Sequence, residues 1–290
     1  MRRFFESLVG RRWLVWSVLA LAVVVLVASS LTIWVKRQAL DTDNWVDVSG
    51  QLLENEDVRQ VVAADLVDAL FTNTDVEARL QQSLPPRLDP LAGPATGFLR
   101  QSANTAALQL LERPAVQRYW REANRVAHER LVAILDGEPK GATSIEDGAV
   151  VLDLRPLVAQ LGLRVGLQVD LPPDAGRITV LRSDQLTAAQ DGVKLIRKLS
   201  VVLAVLALLL IALAVYLGRG FRREVLRATA LALVGVGVLL LALRRIAGDA
   251  VIDSITSPAT HDAGVTTWLV ATGLLHDLAI GLIVYGVVLL

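Results

Sequence analysis

The sequence predicts a mainly α fold: four transmembrane helices plus a mostly helical extracytoplasmic domain with a small β hairpin or sheet. Three observations lead there. Residues Trp13 to Val35 form 23 consecutive positions without a charged side chain, and three further apolar runs lie near the C-terminus. A polar segment of about 155 residues separates the first run from the others. Within that segment apolar residues recur mostly at helical spacing. Hydrophobic residues make up 53% of the 290. The mean hydropathy of +0.50 is high for a soluble protein, yet diluted for one wholly in lipid.

Residues 1–12 are the expected cytoplasmic N-terminus and 13–35 the first span. The run WLVWSVLALAVVVLVASSLTIWV, rising about 1.5 Å per residue as a helix, crosses a hydrocarbon core of roughly 30 Å. A cleaved signal peptide is the competing reading. The run exceeds a usual signal core, and Ser29-Ser30 ahead of Leu31 makes a poor cleavage site, so an uncleaved anchor is expected.

Residues 36–198 are expected outside the cytoplasm, ending in a stalk helix. Between Gln38 and Gly192 there are 23 Asp and Glu against 14 Lys and Arg, a balance of −9 inside a chain of zero net charge. That acidity argues against nucleic acid as a partner, which wants a clustered basic face. The chain has no cysteine, which excludes disulfides, thiolate nucleophiles and cysteine-ligated metals. Arginine outnumbers lysine 25 to 4, read as a genomic base bias.

Along this domain, Asp41 or Asp43 caps a helix through Leu53. Glu56–Phe71 places Val58, Val61, Val62, Leu66, Ala69 and Leu70 on one apolar face. A helix from Val76 to Leu84 ends at Pro85-Pro86, and another runs from Phe98 to Leu111. Pro114 opens a helix through Leu135, in a first turn where its missing N–H costs nothing, and Asp136-Gly137 stops it. Gly148–Leu154 and Arg177–Leu181 are β-rich and expected to pair, with a short helix over Pro156–Leu163 between them. From Ser183 the pattern is helical again, with no break before the membrane.

The remaining spans are 199–217, 225–243 and 266–290. They are joined by a cytoplasmic loop (218–224) and an extracytoplasmic loop (244–265). Arg227 lies near the start of the third span, where it can snorkel. Arg2, Arg3, Arg11 and Arg12 on the N-terminal flank and Arg219, Arg222 and Arg223 in the short loop determine topology by the positive-inside rule. Lys36, Arg37, Lys194, Arg197, Lys198, Arg244 and Arg245 oppose them. The first span usually dominates, so the N-terminus is expected in the cytoplasm and the protein in the plasma membrane.

The stretches VRQVVAADLVDALF (58–71), PPRLDPLAGP (85–94), PAVQRYWREANRVAHERLVAILDG (114–137), VVLDLRPLV (150–158) and DQLTAAQDGVKLI (184–196), in that order, resemble a family of uncharacterised integral membrane proteins from actinobacteria. The resemblance covers roughly residues 40–290. It implies one N-terminal span, a helical exported domain, further C-terminal spans and a polar tail after Leu290. It supplies no catalytic residue and no cofactor.

His276-Asp277 is the sharpest polar feature, because ionisable residues at membrane depth are costly and often mark ion or proton paths. Adjacent helical residues diverge by about 100°, so the two are not a preformed pair. The plainer reading is an interfacial turn, hydrated or paired with Arg244 or Arg245. Asp249, Asp253, His261 and Asp262 are potential metal ligands without a metal-binding signature, and a solvated acidic loop is the expected reading. His128, beside Glu129, falls at the edge of the stripe Trp120, Ala127, Leu131, Ile134. It reads as a structural histidine holding a hydrogen bond. Trp13, Trp16, Trp34 and Trp268 fit interface anchoring. No catalytic constellation is legible and no metal or cofactor is expected.

The expected function is that of an integral cell-envelope protein whose exported domain is an interaction module for a protein or polymer. The alternative is a small oligomeric transporter or channel component using intramembrane His276 and Asp277. The lipid bilayer is a partner in either case, and an oligomer is possible in both.

Overall fold

A computed structural model describes the backbone of residues 2–83, 91–137, 143–146, 149–153 and 177–290. Side chains are described for 12–76, 78–80, 82, 91–137 and 185–290. The helices are α1 (Arg2–Leu40), α2 (Thr42–Glu54), α3 (Glu56–Thr74), α4 (Val76–Ser83), α5 (Ala92–Leu111), α6 (Pro114–Leu135), α7 (Ser183–Leu217), α8 (Arg222–Ile255), α9 (His261–Ala271) and α10 (Gly273–Leu289). The chain divides into two compact units. One comprises residues 1–45, 126–249 and 271–290; the other comprises 46–125 and 250–270.

The first unit is a helical bundle. Val15 and Leu19 of α1 pack with Ala214 near the end of α7 and Val225 at the start of α8. Further along α1, Leu31 and Trp34 pack with Val236 and Leu240 of α8 and with Leu275 and Ala279 of α10. This register makes α1 parallel to α8 and antiparallel to α7 and α10. The exterior is inverted relative to a water-soluble bundle: Val24, Leu208, Leu209, Leu231 and Val287 are exposed. An apolar surface of that extent is stable only against lipid or a partner. Arg12–Leu40, Gln185–Leu217 and Arg222–Ile255 are each long and apolar enough to cross a membrane. The chain is therefore a multi-pass membrane protein.

Three of the four expected spans are single helices. The fourth apolar run is not one rod: it breaks at Thr272 into α9 and α10, bent by 50° at the break, so the single-helix crossings number three, or four if the pair acts as one. By itself α10 has 17 residues, about 26 Å as helix, short of a hydrocarbon core of roughly 30 Å. Over the segment 244–265, expected as an outer loop, α8 continues through Ile255. Arg244-Arg245 ends the apolar stretch, but arginines, alanines and leucine-like residues remain good helix formers, so the backbone ladder persists into a more polar segment.

The β component of the expected fold is also corrected. Helices make up the packed protein, and none of the side chains described lies in a strand. The backbone does carry three short strands, β1 (Thr143–Glu146), β2 (Ala149–Asp153) and β3 (Arg177–Arg182), in the order β1-β2-β3. Two-strand pairing was expected. Instead β2 pairs antiparallel with β1 as well as with β3, with a register irregularity at Val150/Val151. The expected stop at Pro85-Pro86 and the short helix over Pro156–Leu163 lie outside the described residues.

Helix α7 runs unbroken from Ser183 to Leu217, 35 residues, as the sequence pattern required. At about 1.5 Å per residue this exceeds a bilayer core by roughly 20 Å. The excess is tied to the end of α6. The Gln190 amide donates to the Ile134 carbonyl at 2.8 Å, and Arg197 pairs with Asp136 at 2.9 Å.

The second unit is helical and small. Asn55 caps α3 by accepting from the Val58 N–H, and the helix ends on Asp75 in the left-handed region at φ 45. Leu53, Ala63 and Leu111 form its centre, flanked by Val62, Leu108 and Val116. The Trp120 indole N–H donates to the Ser49 carbonyl at 2.9 Å, and Arg121 pairs with Glu54. One sequence expectation fails here. The buried stripe of α3 is Ala63, Val67 and Phe71, whereas Leu66 and Leu70, expected on its buried face, are 55% and 56% exposed. Helix α3 carries apolar residues on two sides, and only one of them meets α5.

A candidate intramembrane groove

Within the bundle, α1, α7, α8 and α10 enclose a groove of about 880 Å³, open to one side. Its walls are apolar, including Leu26, Ile33, Leu208, Ile211, Leu233 and Leu282. Six polar side chains break them: Ser29, Ser30 and Arg37 of α1, Thr229 of α8, and Asp277 and Tyr285 of α10. Ser29, Ser30 and Thr229 sit at positions a helix turns inward, each nearly fully buried. The Ser30 hydroxyl donates to the Leu26 carbonyl at 2.9 Å and that of Thr229 to the Val225 carbonyl at 2.8 Å. Such bonding to the preceding turn satisfies the donor and leaves oxygen lone pairs toward the groove.

Asp277, expected in an interfacial turn paired with Arg244 or Arg245, lines the groove. Arg244 instead donates from Nε to the Thr272 hydroxyl at 2.7 Å, at the helix break. Neither Asp277 nor Arg37 has a side-chain ion pair among the described residues. His276 is absent from the groove lining, and its Nδ1 is buried with no hydrogen-bond partner among the described residues. Sequence reasoning named Asp277 but missed Ser29, Ser30 and Thr229. Their signal was adjacent hydroxyls inside an otherwise apolar run, read instead as a failed cleavage site.

The topology arginines are partly placed. Arg12 pairs with Glu224 at 2.8 Å and lies 5.1 Å from the centre of the Phe221 ring. The N-terminal flank thus meets the α7–α8 hairpin at one end of the bundle. Arg219 lies over Tyr216, 4.2 Å from the ring centre, and Arg222 and Arg223 are exposed. The side chains of Arg2, Arg3 and Arg11 lie outside the described residues.

His128 is where a structural histidine belongs. It is 3% exposed, its Nδ1 lies 3.0 Å from the Thr42 hydroxyl, and its ring stacks on Trp45 with centroids 4.9 Å apart. Burial pushes its pKa below the usual histidine value, opposed by the Ala39 carbonyl, Asp41 and Glu129. It is not positioned as a general base for a groove or pocket. Among the described residues no three His, Asp or Glu side chains are grouped to hold a metal, Asp249, Asp253, His261 and Asp262 included.

No protein-family model, curated protein or solved structure matches this chain.

Proposed function

We propose that this is a plasma-membrane protein of the cell envelope whose helical unit, 46–125 and 250–270, binds a protein or polymer outside the cytoplasm. The observation that carries this reading is the second apolar side of α3. Leu66 and Leu70 sit one turn apart and exposed, on a helix that already buries Ala63, Val67 and Phe71. Phe98 on α5 is 71% exposed in the same unit. Large apolar side chains grouped on a helix outside the membrane-crossing segments are what a partner surface presents. The acidic balance of residues 38–192 adds a repulsion from anionic headgroups, favouring a protein or polymer over the lipid surface. Membership of the actinobacterial envelope family that the sequence resembles is part of this proposal.

The test uses the full chain in its native membrane, with a photo-crosslinker placed at Leu70 or Phe98 and, as control, at exposed Gln60. A discrete adduct from the first two positions and none from Gln60 supports a partner surface. Adducts to lipid alone, or none, refute it. The transporter reading is favoured by one observation: among the described residues, Asp277 lines the groove without an ion pair. It predicts that Asp277→Asn abolishes a solute or proton flux in vesicles.

A further inference from the structure

We infer that a cleft between α3 and α5 binds one ring of a neutral glycan. This names the polymer of the proposed function and rests on that reading for its place outside the cytoplasm. The cleft holds about 240 Å³ and lies within the second unit. Four planar polar groups line it: Asp68 of α3, and Arg100, Gln101 and Asn104 of α5. Asp68 and Arg100 pair at 3.3 Å, and the guanidinium lies 5.5 Å from the centre of the Phe71 ring. Each keeps spare capacity, because a guanidinium carries several N–H donors and a carboxylate several lone pairs. Asn104 Oδ1 is buried with no hydrogen-bond partner among the described residues, an acceptor that a ligand donor would satisfy. Gly97 also lines the cleft, and a Cβ there would meet nothing within 4 Å. Phe98, 71% exposed, stands three positions from Gln101 and so shares its side of α5.

That combination selects the ligand. A simple ion finds its counter-charge already neutralised by the Asp68–Arg100 pair. An acyl chain or an apolar helix would leave the polar groups unpaired. Peptides are anchored by side chains seated in apolar pockets, and here the only apolar walls are Ala64 and Val67. A sugar hydroxyl both donates and accepts, so neighbouring hydroxyls on one ring can meet Arg100 and the Asn104 oxygen alike. The C–H face of the same ring can lie on the exposed Phe98. The volume falls below the roughly 300–1,000 Å³ of drug-sized sites, which suits a single ring. The acidic balance of residues 38–192 disfavours glycans bearing uronate or phosphate.

The experiment places the full-length protein in nanodiscs of diacyl phosphatidylcholine and measures binding by saturation-transfer NMR, against empty nanodiscs. Chitotriose and mannotriose are the probes; trigalacturonic acid and trialanine are the counterparts. The expected result is saturable binding of at least one neutral trisaccharide, at least tenfold tighter than either counterpart, with transfer strongest to one ring. Phe98→Ala and Asn104→Leu should each weaken it at least tenfold, and Gln60→Ala should leave it unchanged. Gly97→Leu should abolish it. Leucine is the better helix former and its Cβ meets open space there, so this variant reports on binding even where Asn104→Leu fails to fold. No saturable binding of either trisaccharide, equal binding of a counterpart, or binding that survives Gly97→Leu would overturn the assignment. A discrete protein adduct from Leu70 beside such a failure would leave the partner surface standing. Sugar binding without that adduct would remove the surface and keep the cleft.

Discussion

His128 shows how much one residue can report. Its imidazole is buried against Trp45 and bonded to Thr42, and burial lowers its pKa. The folded state thus binds its proton less readily than the unfolded state does. Its contribution to stability is complete above the ordinary histidine value of 6.5 and is lost as pH falls from there toward the lowered folded value. Thermal unfolding followed by tryptophan fluorescence in detergent should show a midpoint that falls as the pH drops below 6.5, with a shallower fall in His128→Gln. An unchanged slope in that variant would remove His128 as the cause. Thr42→Val, which deletes the hydroxyl partner, should cost about 1 kcal/mol at neutral pH. The structural role of His128 was legible in the sequence because it borders an apolar stripe. Its partners were not, because Thr42 and Trp45 lie more than eighty positions away and spacing carries no information about them.

At the level of helices, the contacts that hold α10 to α8 are made by backbone. A Cβ on Gly237 would lie 2.6 Å from the Ala279 carbonyl oxygen, and one on Gly286 2.7 Å from that of Ala230. Since lipid supplies no hydrophobic drive between helices, close packing through small residues must hold them. Gly286→Val and Gly237→Val should each separate the pair and cost about 1–3 kcal/mol. Gly281→Ala, with open space at its Cβ, should be silent. Thermal unfolding in detergent compares the three, and equal losses would contradict the packing. The α1 and α7 spans were legible because an uninterrupted apolar run of sufficient length has one physical solution in lipid. The break at Thr272 was not. Nothing in Val270-Ala271-Thr272-Gly273 forbids a helix, and the bend depends on tertiary contacts such as Arg244 to the Thr272 hydroxyl. The apolar face of α3 was misread for a related reason: period alone cannot choose between two eligible sides.

Across the whole molecule the testable quantity is threading. The Arg12–Glu224 pair is exposed and contributes less than about 1 kcal/mol, so its value is as a marker that both basic segments share one end of the bundle. Helix α10 runs antiparallel to α8, which puts Leu290 toward that same end. Reporter fusions at Gly220 and after Leu290 should report one compartment, and a fusion at Asp147 the other. A Leu290 fusion on the Asp147 side would mean that α9 and α10 enter and leave by one face. The groove as a whole was beyond the sequence, since its walls come from four helices and run from Leu26 to Leu289. Only Asp277 announced itself, being an ionisable residue where such residues are costly.

The interruption at Thr272 also bears on biogenesis. A translocon releases a segment sideways when that segment alone prefers lipid, and pieces of 11 and 17 residues with a kink between them are poor clients. Helix α10 can settle only once α8 is already in place to receive Gly286 and Ala279. The insertion of α10 is thus a docking event on α8, and lesions in α8 should surface as chains in which α10 has stalled.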